Sequence, residues 1–120
     1  MEEQTNFEKL RVYQQSLGLV KILYKITKDF PKEELYGLTS QLRRAATSVS
    51  LNIAEGQGRS SRMENKQFLL IARGSLHEIL AITEITHQET YLSDKERLLI
   101  RHEIFSLLKQ LNNLISYLKT

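Results

Sequence analysis

Leu38-Thr39-Ser40-Gln41-Leu42-Arg43-Arg44-Ala45-Ala46-Thr47-Ser48-Val49-Ser50-Leu51-Asn52-Ile53-Ala54-Glu55-Gly56-Gln57-Gly58 decides the fold. Leu38, Leu42, Ala45, Val49 and Ile53 recur three or four residues apart, a spacing that gathers them on one face of a helix. The run closes on Gly56-Gln57-Gly58, read here as a helix stop. Ser61-Arg62-Met63-Glu64 follows at once. Its Ser-x-x-Glu form is that of a capping box, in which hydroxyl and carboxylate satisfy orphan N–H groups at a helix start. One helix ends and another begins within a few residues, which makes a helical hairpin.

Working outward, Thr5-Asn6-Phe7-Glu8 and Ser93-Asp94-Lys95-Glu96 have the same box form and are expected to open the first and last of four helices. The first carries Leu10, Tyr13, Leu17, Val20, Tyr24 and Thr27 along one face, with Val12, Leu19, Leu23, Ile26 and Phe30 in a second row beside it. Asp29-Phe30-Pro31 ends it, because the residue before proline is pushed out of the α region. Pro31 to Gly37 reads as a turn. The third helix has inner positions Phe68, Ile71/Ala72, Ser75/Leu76, Ile79, Ile82/Thr83 and Thr86. The fourth has Leu98, Ile104/Phe105, Leu108, Leu111, Ile115 and Leu118, with Leu99, Ile100, Leu107 and Leu114 beyond that stripe.

Short connections and the absence of strand-period stretches predict an all-α protein. The expected architecture is an antiparallel up-down-up-down four-helix bundle, a single domain over 1–120. The apolar faces of the first and fourth helices are wider than one neighbour needs, which predicts a homo-oligomer.

Composition narrows the chemistry. The 120 residues are 41% hydrophobic and 26% charged, the balance of a folded globular protein. No cysteine is present, which excludes disulfides, thiolate nucleophiles and cysteine metal sites. Met1-Glu2-Glu3-Gln4 lacks the basic and apolar regions of a signal peptide, and runs such as Leu69-Leu70-Ile71-Ala72 are too short to span a bilayer. The expectation is a cytoplasmic protein with no membrane role.

Two motifs fail on inspection. Gly56-Gln57-Gly58-Arg59-Ser60-Ser61 begins like a dinucleotide fingerprint, but Ser61 stands where the third glycine belongs and no strand precedes it. His77-Glu78 hints at a zinc-protease helix, but Ala81 occupies the second histidine position. No metal, cofactor or catalytic set is expected. A hydrolase using Glu55 or Glu78 is the sharper enzymatic alternative.

Charge placement says more. Between Arg43 and Arg73 lie six basic residues (Arg43, Arg44, Arg59, Arg62, Lys66 and Arg73) against two acidic ones, a balance of +4. The rest of the chain holds eleven basic and twelve acidic residues, a balance of −1. Arg62, Lys66 and Arg73 share one stripe of the third helix, and folding the hairpin is expected to bring Arg43 and Arg44 level with Arg73. Such an array suits phosphate backbones. The tyrosines lie elsewhere in the sequence, so the expected contact is with the backbone and weakly sequence-specific. The same arginines have an alternative use in ion pairs with Glu55 and Glu78, within or between subunits. Ser48, Asn52 and Glu55 share a face of the second helix, and Ser75 and Glu78 share one of the third. They are expected to form a buried or interfacial polar network, with Arg43 or Arg44 as cationic partner.

Four blocks carry a family resemblance: Glu34-Leu35-Tyr36-Gly37-Leu38, Gln41-Leu42-Arg43-Arg44-Ala45-Ala46 with Ser48, Asn52-Ile53-Ala54-Glu55-Gly56, and Ile71-Ala72-Arg73-Gly74-Ser75-Leu76 with Glu78. They resemble the proteins encoded in bacterial 23S rRNA intervening sequences, often labelled S23 ribosomal proteins. Tyr13 stands where relatives often have tryptophan. The resemblance implies an antiparallel four-helix bundle assembling into a ring-like homopentamer. It also implies kinship with the accessory protein of diversity-generating retroelements, which binds nucleic acid and a reverse transcriptase through a basic surface. The function expected on both grounds is a non-enzymatic homo-oligomer that binds RNA or other nucleic acid. The alternative is an assembly module that recruits a protein partner.

Overall fold

The apolar periodicity becomes four α-helices: α1 (Arg11–Thr27), α2 (Leu38–Gln57), α3 (Arg62–Gln88) and α4 (Asp94–Tyr117). The computed structural model describes residues 2–118, among which no strand occurs. Met1, Lys119 and Thr120, which the single-domain reading over 1–120 included, lie outside the described residues.

The three boxes behave differently. At Ser93 the box is complete: Oγ accepts the Glu96 N–H and the Glu96 carboxylate accepts the Ser93 N–H, both at 3.0 Å. Ser61 Oγ caps α3 by accepting the Glu64 N–H at 3.1 Å, while the Glu64 carboxylate takes the Ser61 hydroxyl. At Thr5 the expected start of the first helix is corrected. Glu8 accepts both the N–H and the hydroxyl of Thr5, but this heads only a 3₁₀ turn over Phe7–Lys9. Leu10 is extended (φ −72°, ψ 129°), so α1 begins at Arg11. The break lets Phe7 pack edge-on against Tyr13, with centroids 4.9 Å apart.

The glycine stop holds, but its two glycines do different work. Gly58 ends α2, and Gly56 is a buried residue inside the helix. A Cβ on Gly56 would lie 2.7 Å from Asn65 Oδ1 and 3.1 Å from both the Asn65 carbonyl oxygen and Phe68 Cβ. The missing side chain is what lets α2 and α3 approach closely here. Between α3 and α4 the turn is made by Thr90 at φ 66°, with the Tyr91 N–H reaching back to the Thr86 carbonyl at 2.9 Å.

Leu19, Leu23, Leu42, Val49, Ile53, Leu69, Leu76, Ile79, Ile100, Ile104, Leu107 and Leu111 fill the centre and are fully buried. The register differs from expectation in places. On α1 the second row is the core, whereas Leu17 and Tyr24 of the first row are exposed. On α3, Leu69 is buried while Ile71 is exposed and Phe68 only half-buried; on α4, Ile100 and Leu107 are buried while Leu98 and Phe105 are exposed. Each helix can be phased two ways along its apolar residues, and the positions that meet two neighbouring helices at once win.

Contacts between helices fix the levels. On α1 and α2, Ser16 meets Ser50 (2.8 Å) and Thr27 meets Arg43 (2.9 Å). On α2 and α3, Ser48 meets Ser75 (2.9 Å) and Gly56 packs on Asn65 and Phe68. On α3 and α4, Arg73 meets Asn112 (3.0 Å) and Glu84 meets Arg97 (2.8 Å). The α2–α3 pairing is the most extensive.

Candidate nucleic-acid interface

The six hairpin cations separate into committed and uncommitted groups. Arg43 is half-buried and turned to α1: its Nε donates to Thr27 Oγ1 at 2.9 Å and its guanidinium lies 4.7 Å from the Tyr24 ring centroid. Arg59 pairs with Glu55 at 2.6 Å and covers Phe68 at 4.8 Å. Phe68, expected to point inward, is instead the floor under that guanidinium. Arg62 lies over Tyr117 at 5.6 Å, and Arg73 donates to Asn112 Oδ1, so both line the seam between α3 and α4. Exposed Arg44 and half-buried Lys66 have no hydrogen-bonded or ionic partner among the described residues. Arg59 alone of the six has a carboxylate within 4.0 Å among the described residues.

Arg43 faces α1 and Arg73 faces α4, so the single ribbon expected from the sequence is two patches. The levels differ too. Ser48 sits opposite Ser75, which puts Arg44 beside Glu78 and past Arg73. Taking Gln57-Gly58 as the fold point misjudges the level by about two helical turns, because the Ser48–Ser75 pairing centres the hairpin beyond it, near Ser61 and Arg62.

Three of the five polar-network residues come together. Asn52 Nδ2 donates to the Ser48 carbonyl (2.8 Å) and Ser48 Oγ (3.0 Å), and Ser75 Oγ donates to Ser48 Oγ (2.9 Å). Glu55 lies outside this group, exposed and held by Arg59, and the expected arginine partner of the network is absent from it. Arg43 is instead taken by Thr27 and Tyr24. Glu78 lines a cavity of about 440 Å³ with Gln41, Arg44, Ser48 and Ser75, and stands more than a salt-bridge distance from Arg44.

Comparison with known proteins places this arrangement. Residues 8–113 match the family described as 23S rRNA-intervening sequence protein. The chain belongs to that family. One solved structure that this family member resembles is a protein of unknown function of the S23 ribosomal protein family from Bacteroides thetaiotaomicron. The TM-score is 0.79 at 23% identity, over 88% of this chain and 95% of that one. No protein with a curated description matches.

Several interactions of this family member had no sequence signal. Ser16, fully buried on α1, bonds Ser50 and the Tyr13 carbonyl. Gln15 gathers Glu103, Ser106 and Gln110 of α4. Glu84 accepts from Arg97 and Arg101, and these hydrogen bonds and charges hold its carboxyl below the usual range. Polar residues at helical spacing look solvated in sequence, and only packing shows which ones meet. Among the described residues, no helix is long and apolar enough to cross a membrane.

Proposed function

We propose that this family member is a non-enzymatic, cytoplasmic homo-oligomer of antiparallel up-down-up-down bundles that holds RNA or other nucleic acid by its phosphates. Arg44, Arg62, Lys66 and Arg73 make the phosphate contacts, while Arg43 and Arg59 chiefly serve the scaffold. The observation that carries the reading is charge left unspent: the segment from Arg43 to Arg73 has a balance of +4 against −1 for the rest of the chain, and among the described residues five of its six cations have no carboxylate within 4.0 Å. Each such cation displaces condensed counterions when it meets a phosphate.

The contact pairs between successive helices, whose residue numbers rise on one helix as they fall on the next, support the antiparallel order. Assembly is supported by a second apolar row on α3, opposite its core face. Met63 (69% exposed), Leu70 and Ile85 lie there with Gly74 and Ala81, at spacings of seven and four. Phe105 and Leu98 of α4 are exposed as well. The sequence suggested the wide faces of α1 and α4 instead; there the second row of α1 with Ile100 and Leu107 of α4 is core, and Leu17, Tyr24 and Leu99 stay exposed. Five copies is the number the family resemblance implies, and repetition around a ring turns a modest patch into an avid one. The same row favours one second reading, a module that recruits a protein partner.

Native mass determination with and without bulk RNA tests both parts. A multiple of 14.0 kDa that gains RNA at low salt is the expected result. A single-chain mass indifferent to RNA contradicts it, and an oligomer indifferent to RNA leaves the assembly module that recruits a protein.

A further inference from the structure

Tyrosines and arginines far apart in sequence meet at the start of α2. Tyr24 comes from the last turns of α1 and Tyr36 from the loop before α2. Both line a cavity of about 320 Å³ with Leu35, Arg43, Arg44 and Thr47. The Arg43 guanidinium holds the Tyr24 ring from one side at 4.7 Å. Tyr36 is 94% exposed, and Leu35 beside it is 46% exposed. An open ring next to an apolar side chain is a surface that a flat π system covers well.

The loop that carries Tyr36 is pinned. The Gly37 N–H reaches the Glu34 carbonyl at 2.9 Å, and the Glu34 carboxylate accepts the Leu38 N–H at 3.3 Å and the Tyr91 hydroxyl at 3.2 Å. Glu34 is thereby turned to Tyr91 and α2, and does not line the cavity. Arg44, which has no hydrogen-bonded or ionic partner among the described residues, supplies a cation at the cavity wall. Thr39 Oγ1 is a buried hydroxyl without a partner, in the wall this cavity shares with a smaller one beside Phe30 and Pro31.

We propose that this cavity is a stacking site for an unpaired nucleotide of single-stranded RNA. Its base lies on Tyr36 against Leu35, and its phosphate meets Arg44. The inference rests on the polyanion-binding reading and deepens it, because a phosphate track needs cations alone whereas this site needs a base free of its complement. Paired bases present no open face to a ring, so duplex RNA leaves the site unused.

The test compares a short single-stranded oligoadenylate with a duplex RNA of equal length, for the wild type, Tyr36→Ala and Tyr36→Phe. Loss of one stacked base is expected to weaken single-strand binding about 5- to 150-fold in Tyr36→Ala. Tyr36→Phe should keep wild-type affinity, and duplex binding should be the same for all three. The chain has no tryptophan, so Tyr36→Trp provides a unique fluorophore that oligoadenylate should quench and duplex should not. Single-strand binding unmoved by Tyr36→Ala, or equal losses on both RNAs, overturns the stacking site while leaving phosphate binding intact. Binding of neither RNA overturns both.

Discussion

Arg43 lies over the Tyr24 ring, 4.7 Å from its centroid, and donates to Thr27 Oγ1 from the same guanidinium. Neighbouring Arg44 makes no such contact, so two adjacent arginines of one motif have different work. Arg43→Ala removes a cation–π contact and a hydrogen bond that join α1 to α2, and should lower folding stability by about 1–2 kcal/mol. Arg44→Ala should change stability by no more than about 0.5 kcal/mol. Urea denaturation of the two variants decides, and equal losses would contradict this division.

Gly56 and Gly18 give a paired test of the close approach. Gly56→Ala forces a methyl group against Asn65 and Phe68 and should destabilise by about 1–3 kcal/mol. Gly18 is mid-helix on α1 with nothing within 4 Å of its Cβ position. Gly18→Ala should therefore stabilise by about 0.5–1 kcal/mol through helix propensity. Thermal unfolding of both variants reads the opposite signs.

These two residues also show what the sequence could reveal. A Gly-x-Gly after an apolar-periodic run signals a helix end, and the end is there, at Gly58. That Gly56 serves packing instead depends on where Asn65 and Phe68 come to rest, which no local pattern encodes. Helix existence was legible because periodicity and two capping serines agree. Helix phase was less so, since rows such as Leu10-Tyr13-Leu17 and Val12-Leu19-Leu23 are both apolar and only the bundle chooses between them. At the candidate site the excess charge of the hairpin was visible. Its division into a patch by Tyr24 and a seam along α4 was not, because Tyr24, Tyr36, Asn112 and Tyr117 arrive from distant segments.

Glu84 links stability to pH. The Arg97 hydrogen bond, chief among its interactions, lowers its carboxyl below the ordinary 4.5 in the folded chain. A depressed carboxyl contributes stability that is present above its unfolded value and is lost as pH falls through the folded one. The melting temperature of the wild type should therefore fall on acidification below about pH 4.5, and Glu84→Gln should flatten part of that decline. An identical acid limb in Glu84→Gln would show that the link between α3 and α4 adds nothing measurable.

The outer row of α3 should govern assembly. Leu70→Glu and Ile85→Glu place a charge on side chains already exposed in the single chain, so helical content should be unchanged. In an oligomer the same carboxylates would be buried without partners, at a cost of several kcal/mol per interface. Native mass should shift toward the single chain in both variants. An unchanged mass would move the interface to another face.

The salt dependence of RNA affinity tests the central claim most directly. For wild type, the logarithm of the binding constant should fall linearly with the logarithm of salt concentration, and the double variant Arg44→Ala, Lys66→Ala should show a slope shallower by about 1.4–1.8 units. An unaltered slope in the double variant, or no binding by wild type at low salt, would contradict it.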